Sequence, residues 1–112
     1  MVPKESIKAI DAIQEAHRIA FSPFVFQAVV CLRKLEIFDL IFESRDNGGI
    51  SIKNISEKKS ISEYGIGVLL DIAESSNIVS KDSNFNYQLT TTGYFLSRHE
   101  TVGVNIDFTN DV

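Results

Sequence analysis

A mainly α domain closed by a small two- to three-stranded β hairpin is what this sequence predicts, and three features predict it. Apolar residues recur at helical spacing through most of the chain up to Ser76. Ser22-Pro23 and Ser62 each precede such a stretch, as helix caps do. Ile78 to Leu89 then switches to alternation around a polar turn. At 112 residues, 44% apolar and 23% charged, the chain has the composition of one ordinary globular domain.

The elements follow in order. Pro3 suits a first helical turn, and Ile7, Ile10 and Ile13 then form a stripe opposed by Lys8, Asp11 and Glu15, predicting a surface helix over 3–18 that needs a partner. Ser22-Pro23 opens a second helix, carried on by Glu36 to Glu43, so that 22–42 is helical; Phe24, Ala28, Cys31 or Leu32 and Leu35 share one face. Val25, Phe26, Val29 and Val30 fill most of the remainder. A helix apolar nearly all round must be covered on nearly all sides, and a second copy of the chain can supply cover that so small a domain lacks.

Asn47-Gly48-Gly49 is a turn, Gly49-Ile50 a short strand, and Ser51 or Ile52 begins a weak helix ending at Lys59. Ser62 caps a stronger helix with Ile66, Leu69, Leu70 and Ala73 inside, and Ile61 and Ile66 stand at staple spacing. Asn77 tolerates the left-handed dihedrals of a helix end. Ile78 to Ser80 and Phe85 to Leu89 make the hairpin, with Phe85, Tyr87 and Leu89 alternating, and Thr90 to Thr92 cap a last helix, Gly93 to Arg98. Helix, turn, helix, hairpin is the order of a winged-helix-like domain with a β wing. Leu32, Leu35, Phe38, Leu69, Leu70 and Leu89 are its expected core.

Charge and chemistry narrow the function classes. A net charge of −4 argues against nucleic acid or an anionic membrane as the main partner. The single cysteine, Cys31, leaves no disulfide or cysteine metal framework and reads as a buried thiol in a reduced compartment. The N-terminal stretch lacks the apolar core of a signal peptide, and the run Phe24 to Leu32 is far short of a membrane span, so the expectation is a soluble, cytoplasmic chain.

Glu63-Tyr64-Gly65-Ile66-Gly67 superficially matches the acidic-x-G-x-G start of a cofactor loop, but polar, basic residues precede it where a buried strand belongs. It reads as a helical turn that tolerates glycine, at about 1 kcal/mol each relative to alanine. His17 and His99 stand far apart and outside any metal-ligand spacing, and no serine sits in a G-x-S-x-G elbow. No catalytic, cofactor-binding or metal residue is assigned.

A DNA-binding transcriptional regulator is the competing reading, with Lys53, Lys58, Lys59 and Lys81 as phosphate contacts. Against it, the stretch Ser62 to Ser76, where a reading helix would lie, holds Glu63, Asp71 and Glu74 and no Lys or Arg.

Four segments, LRKLEIFDLI (Leu32 to Ile41), GISIKNISEKKSIS (Gly49 to Ser62), GVLLDIAESSNIV (Gly67 to Val79) and YQLTTTGYFL (Tyr87 to Leu96), occur in an order that resembles a known family. It is the N-terminal dimerisation domain of S-adenosylmethionine-dependent small-molecule O-methyltransferases, of the plant caffeate and bacterial polyketide type. The family's patterns are an LGIFD-L helix end, a T-EEIA helix, an L-RLLR-L---G- helix and a Y-LT--G--L wing. Asn77 departs from the usual glycine, and the third helix lacks the common arginine, with Asp71 nearby.

The resemblance implies a non-catalytic module that forms an intertwined homodimer. S-adenosylmethionine and the catalytic base would belong to a C-terminal Rossmann-like domain, and the first helices would help wall the partner's substrate pocket. Residues 1–100 are then the dimerisation domain, and 101–112, with Val102, Val104, Ile106 and Phe108 alternating, begin a linker to a C-terminal domain absent from this chain. The expected dimer interface is Ile7, Ile10, Ile13, Phe21, Phe24, Val25, Phe26 and Val29.

Overall fold

A computed structural model describes residues 8–98. The proposed helix start at Pro3, the interface residue Ile7, His99 and the linker from residue 101 lie outside the described residues. Among these residues five α-helices and a three-stranded sheet follow in the order α1 (Ala9–Lys34), α2 (Ile37–Glu43), β1 (Ile50–Ser51), α3 (Ile52–Lys59), α4 (Glu63–Ser75), β2 (Val79–Lys81), β3 (Asn86–Leu89) and α5 (Thr91–Arg98), with one 3-10 turn at Arg45–Asn47 between α2 and β1. The sheet is antiparallel in the order β1-β3-β2, with Ile50 opposite Tyr87 and Val79 opposite Leu89. This is the expected mainly α, winged-helix architecture.

The expected break at Ser22-Pro23 is absent: α1 runs through Pro23 without interruption. Proline removes one N–H and crowds the carbonyl four residues back, but here the helix surface is exposed and water can satisfy that carbonyl. Ser22 Oγ turns back to donate to the Arg18 carbonyl at 3.1 Å instead of capping a new helix. The chain breaks later, at Glu36, which adopts left-handed dihedrals (φ 59) after a tight turn from Glu36 N to the Arg33 carbonyl. Glu36 stands where the LGIFD pattern has glycine.

Other caps form where expected. Ser51 Oγ accepts from Asn54 N, Ser62 Oγ from Gly65 N, and Thr90 Oγ1 from Gly93 N. Asn77 takes left-handed dihedrals (φ 62) at the end of α4. Phe85 does not begin a strand. It sits at φ 62 in a turn organised by Asp82, whose Oδ1 accepts from Asn84 N and Asn86 N at 2.9 Å each, and its ring is exposed.

The core lies where α4 crosses α1 and α3 and the sheet closes one side. Leu32, Phe38 and Leu70 are fully buried in it with Ile37, Ile41, Ile55, Ile66, Val79 and Tyr87, while Leu69 and Leu89 pack partly buried against it. Two expectations fail for one reason. Leu35 and Cys31 are exposed, because α1 is covered on one side only, through Ala28, Val29, Val30 and Leu32, and Leu35 is the cap residue where the chain turns away.

Glu63 to Gly67 form the first turns of α4. A Cβ on Gly67 would meet only Ile52 Cδ1, at an ordinary 3.8 Å. Gly67→Ala should therefore raise stability by about 1 kcal/mol, read as a higher urea midpoint at unchanged slope.

Candidate functional site

The feature that stands apart from the folded body is the N-terminal half of α1. Every residue from Lys8 to Phe24 is exposed; only at Val25 and Phe26 does the helix begin to pack, and Val29 and Leu32 reach the core. Sixteen helical residues span about 24 Å. Along them Ile10, Ile13, Phe21 and Phe24 are each more than half exposed, with the Phe21 and Phe24 rings 5.6 Å apart, and Ile19 is exposed off their stripe. A helix this apolar is not held in water by its own sequence, and a contiguous exposed apolar surface marks an interaction site.

Beside this half-helix runs a groove of about 1110 Å³. Its α1 wall carries His17, Phe21, Val25, Phe26 and Val29; the far wall is Asp71, Ile72 and Ser75 of α4, the Asn77-Ile78 turn, and Thr92 and Leu96 of α5. Of the interface set read from sequence, Phe21, Val25, Phe26 and Val29 thus meet in one groove, and Ile10, Ile13 and Phe24 extend the exposed stripe next to it. Val29 contributes from inside the chain's own core. Ile72 and Leu96 were not in the set; they belong to separate elements, and only the folded chain brings them to one groove opposite α1.

Charges at the groove are few. Arg18 pairs with Glu15 one helical turn away, which raises the guanidinium's pKa and holds the carboxyl below its usual range through hydrogen bonding first and charge second. Both are fully exposed, so the pair orients side chains more than it stabilises the helix.

The face of α4 that a winged-helix DNA reader would lay in the major groove presents Glu63, Tyr64, Val68 and Asp71. The wing's Lys81 is turned toward Glu74, at 3.7 Å, and its ammonium lies 5.3 Å from the Phe85 ring. Lys53, Lys58 and Lys59 belong to α3. The exposed face of α4 thus carries carboxylates and no arginine.

A second, shallower surface lies across α5. Phe42, Tyr94 and Phe95 form a chain of ring contacts at 5.5 and 5.6 Å, and the guanidiniums of Arg45 and Arg98 lie 3.9 and 4.4 Å from the Phe42 ring centre. Arg98 also pairs with Asp39 at 3.1 Å, and Arg33 donates to the Leu96 and Ser97 carbonyls, closing the end of α5. Among the described residues no cluster of His, Cys, Asp and Glu is placed to hold a metal ion, and no helix is long and apolar enough to cross a membrane.

Residues 14–85 match the family model of the Dimerisation2-like domain. Solved structures of similar fold include an O-methyltransferase, NcsB1, from neocarzinostatin biosynthesis in complex with S-adenosyl-L-homocysteine. It superposes with a TM-score of 0.56 at 20% identity, over 69% of this chain and 24% of that one. The pyocyanin biosynthetic protein PhzM gives 0.66 at 18%, over 90% and 30%. The multiple antibiotic-resistance repressor MarR from Listeria monocytogenes 4b F2365 gives 0.53 at 17%, over 92% and 78%. At such identities the likeness is one of fold. The chain spans 24% and 30% of the lengths of the first two proteins. No curated protein matches it.

Proposed function

The chain belongs to the Dimerisation2-like domain family, and from that premise we propose that it is the homodimerisation module of an S-adenosylmethionine-dependent methyltransferase acting on a small molecule through oxygen. Residues 1–100 are the module and 101–112 lead toward a C-terminal domain that holds the cofactor and the catalytic residues. The module is non-catalytic by itself and works in the cytoplasm, without nucleic acid or membrane as partner.

The observation that carries this reading is the exposed apolar half of α1 with a groove alongside it. Burying one such isoleucine or phenylalanine is worth about 1.5–3 kcal/mol, and a twofold contact counts each residue twice. That sum can exceed the several kcal/mol that association costs. The fold shared with NcsB1, whose structure holds S-adenosyl-L-homocysteine, supports the methyltransferase assignment, and the four matched sequence segments support it independently.

Sedimentation of the chain at micromolar concentration tests the pairing, with a twofold mass expected; a soluble monomer throughout would remove it. A longer polypeptide carrying this module should bind S-adenosylmethionine in calorimetry, whereas the module alone should give no heat.

The MarR-like fold favours one other reading, a DNA-binding regulator. Fluorescence anisotropy with a random duplex at low salt separates the two. Counterion release makes even nonspecific binding strong there for a true reader, so a flat titration is expected.

A further inference from the structure

We propose that two copies pair through α1 in antiparallel register, about a twofold axis that passes beside His17; this rests on the self-association reading above. The exposed stripe is symmetric about that residue. Ile13 and Phe21 lie four positions either side of His17, and Ile10 and Phe24 seven. The intervals of three, four, four and three keep all five on one helix face.

A twofold contact requires that if residue i meets j, j meets i. With His17 on the axis, Ile10 meets Phe24 of the partner subunit and Ile13 meets the partner's Phe21. The off-axis neighbours also fit. Ala16 faces Arg18 and Ala20 faces Gln14, small beside long, and Asp11 and Glu15 face Pro23 and Ile19, so no like charges oppose one another.

The groove decides the direction. Its α1 wall extends from Gln14 to Val29, displaced toward the packed end of the helix. In the antiparallel register the partner's bare N-terminal half lies along that wall from Gln14 to Phe26, and each copy covers that part of the other's groove. A parallel pair would join the two bare halves and leave both grooves open. The occupant is therefore a second copy, since the stripe is complementary to itself about His17 and the groove runs alongside it on the same helix.

Cysteine cross-linking in a Cys31→Ser background tests the register. Packed helices 8–10 Å apart bring Cα atoms on the axis to within about 4–6 Å, inside disulfide range, whereas residue 10 of one copy lies about 21 Å from residue 10 of the other. His17→Cys should convert almost wholly to a disulfide dimer under mild oxidation. Ile10→Cys alone should not link, and an equimolar mixture of Ile10→Cys and Phe24→Cys chains should give the mixed dimer. All three positions are exposed in the single chain, and a circular-dichroism melt of each variant checks that it folds.

A chain that sediments as a dimer but fails to link at residue 17, or links Ile10→Cys to itself, overturns the register and leaves self-association standing. A monomeric Cys31→Ser chain overturns both.

Discussion

Gly93→Ala should be the most damaging small substitution in the chain, lowering stability by about 3 kcal/mol and the melting temperature by roughly 10–20 °C. A Cβ built on Gly93 falls 2.0 Å from the Ile78 carbonyl oxygen, a distance no side chain survives, and the obstacle is backbone that cannot rotate aside. That same carbonyl accepts from Thr90 N at 3.1 Å and Thr90 Oγ1 at 2.9 Å, and Thr90 Oγ1 in turn caps α5 through Gly93 N. Making room would break the knot that ties α5 to the end of α4. Gly48→Ala is the control: nothing lies within 4 Å of its Cβ, so only its left-handed backbone (φ 86) is penalised, at about 1 kcal/mol. Equal melting temperatures for the two variants would show that close approach at Gly93 is not what holds α5.

Why that glycine matters was invisible in sequence, although its position was not. The pattern Y-LT--G--L marks a glycine there, but says nothing of the carbonyl it faces. Local chemistry was legible. Ser51, Ser62, Thr90 and Asn77 each carry a cap or turn preference that acts within four residues, and each appears where expected.

What depends on competition between local and tertiary terms was not legible. Ser22-Pro23 reads as a helix start because proline is best tolerated there, yet one lost hydrogen bond on an exposed surface does not outweigh a continuous helix. Glu36 carries no local signal for a left-handed turn, at a cost of about 1–2 kcal/mol relative to right-handed backbone, so it is imposed by the packing of α2 onto α1. The apolar girdle of Phe24 to Leu35 could not say which side faces inward. Once α4 takes the side of Val29 and Leu32, Cys31 and Leu35 are left outside.

One fold serves both a repressor and an O-methyltransferase among the similar structures, so function resides in the surfaces it carries. Here two surfaces diverge from the needs of DNA recognition. The outer face of α4 is acidic and apolar, and Lys81 is spent on Glu74. The exposed apolar stripe of the described residues lies instead on α1, along Ile10, Ile13, Phe21 and Phe24.

Phe24→Asp should therefore separate pairing from folding. The ring is 61% exposed in the single chain, so its loss there costs about 0.5–1 kcal/mol, and the melting temperature of the dilute monomer should fall by only about 2–7 °C. In a twofold dimer the substitution removes two phenylalanines from the interface and places two carboxylates there. At about 1.5–3 kcal/mol for each ring alone, the dissociation constant rises by at least 100-fold, before the carboxylates' desolvation adds to it. Tyr64→Asp introduces the same charge on the outer face of α4, at a side chain 83% exposed, and should leave the sedimentation profile of the native chain. If Phe24→Asp sediments as the native chain does, the stripe on α1 is not where the copies meet; if it fails to fold when dilute, the ring supports the chain's own core despite its exposure. Dissociation of Phe24→Asp alone, with its fold intact, is the result that a surface built for a second copy requires.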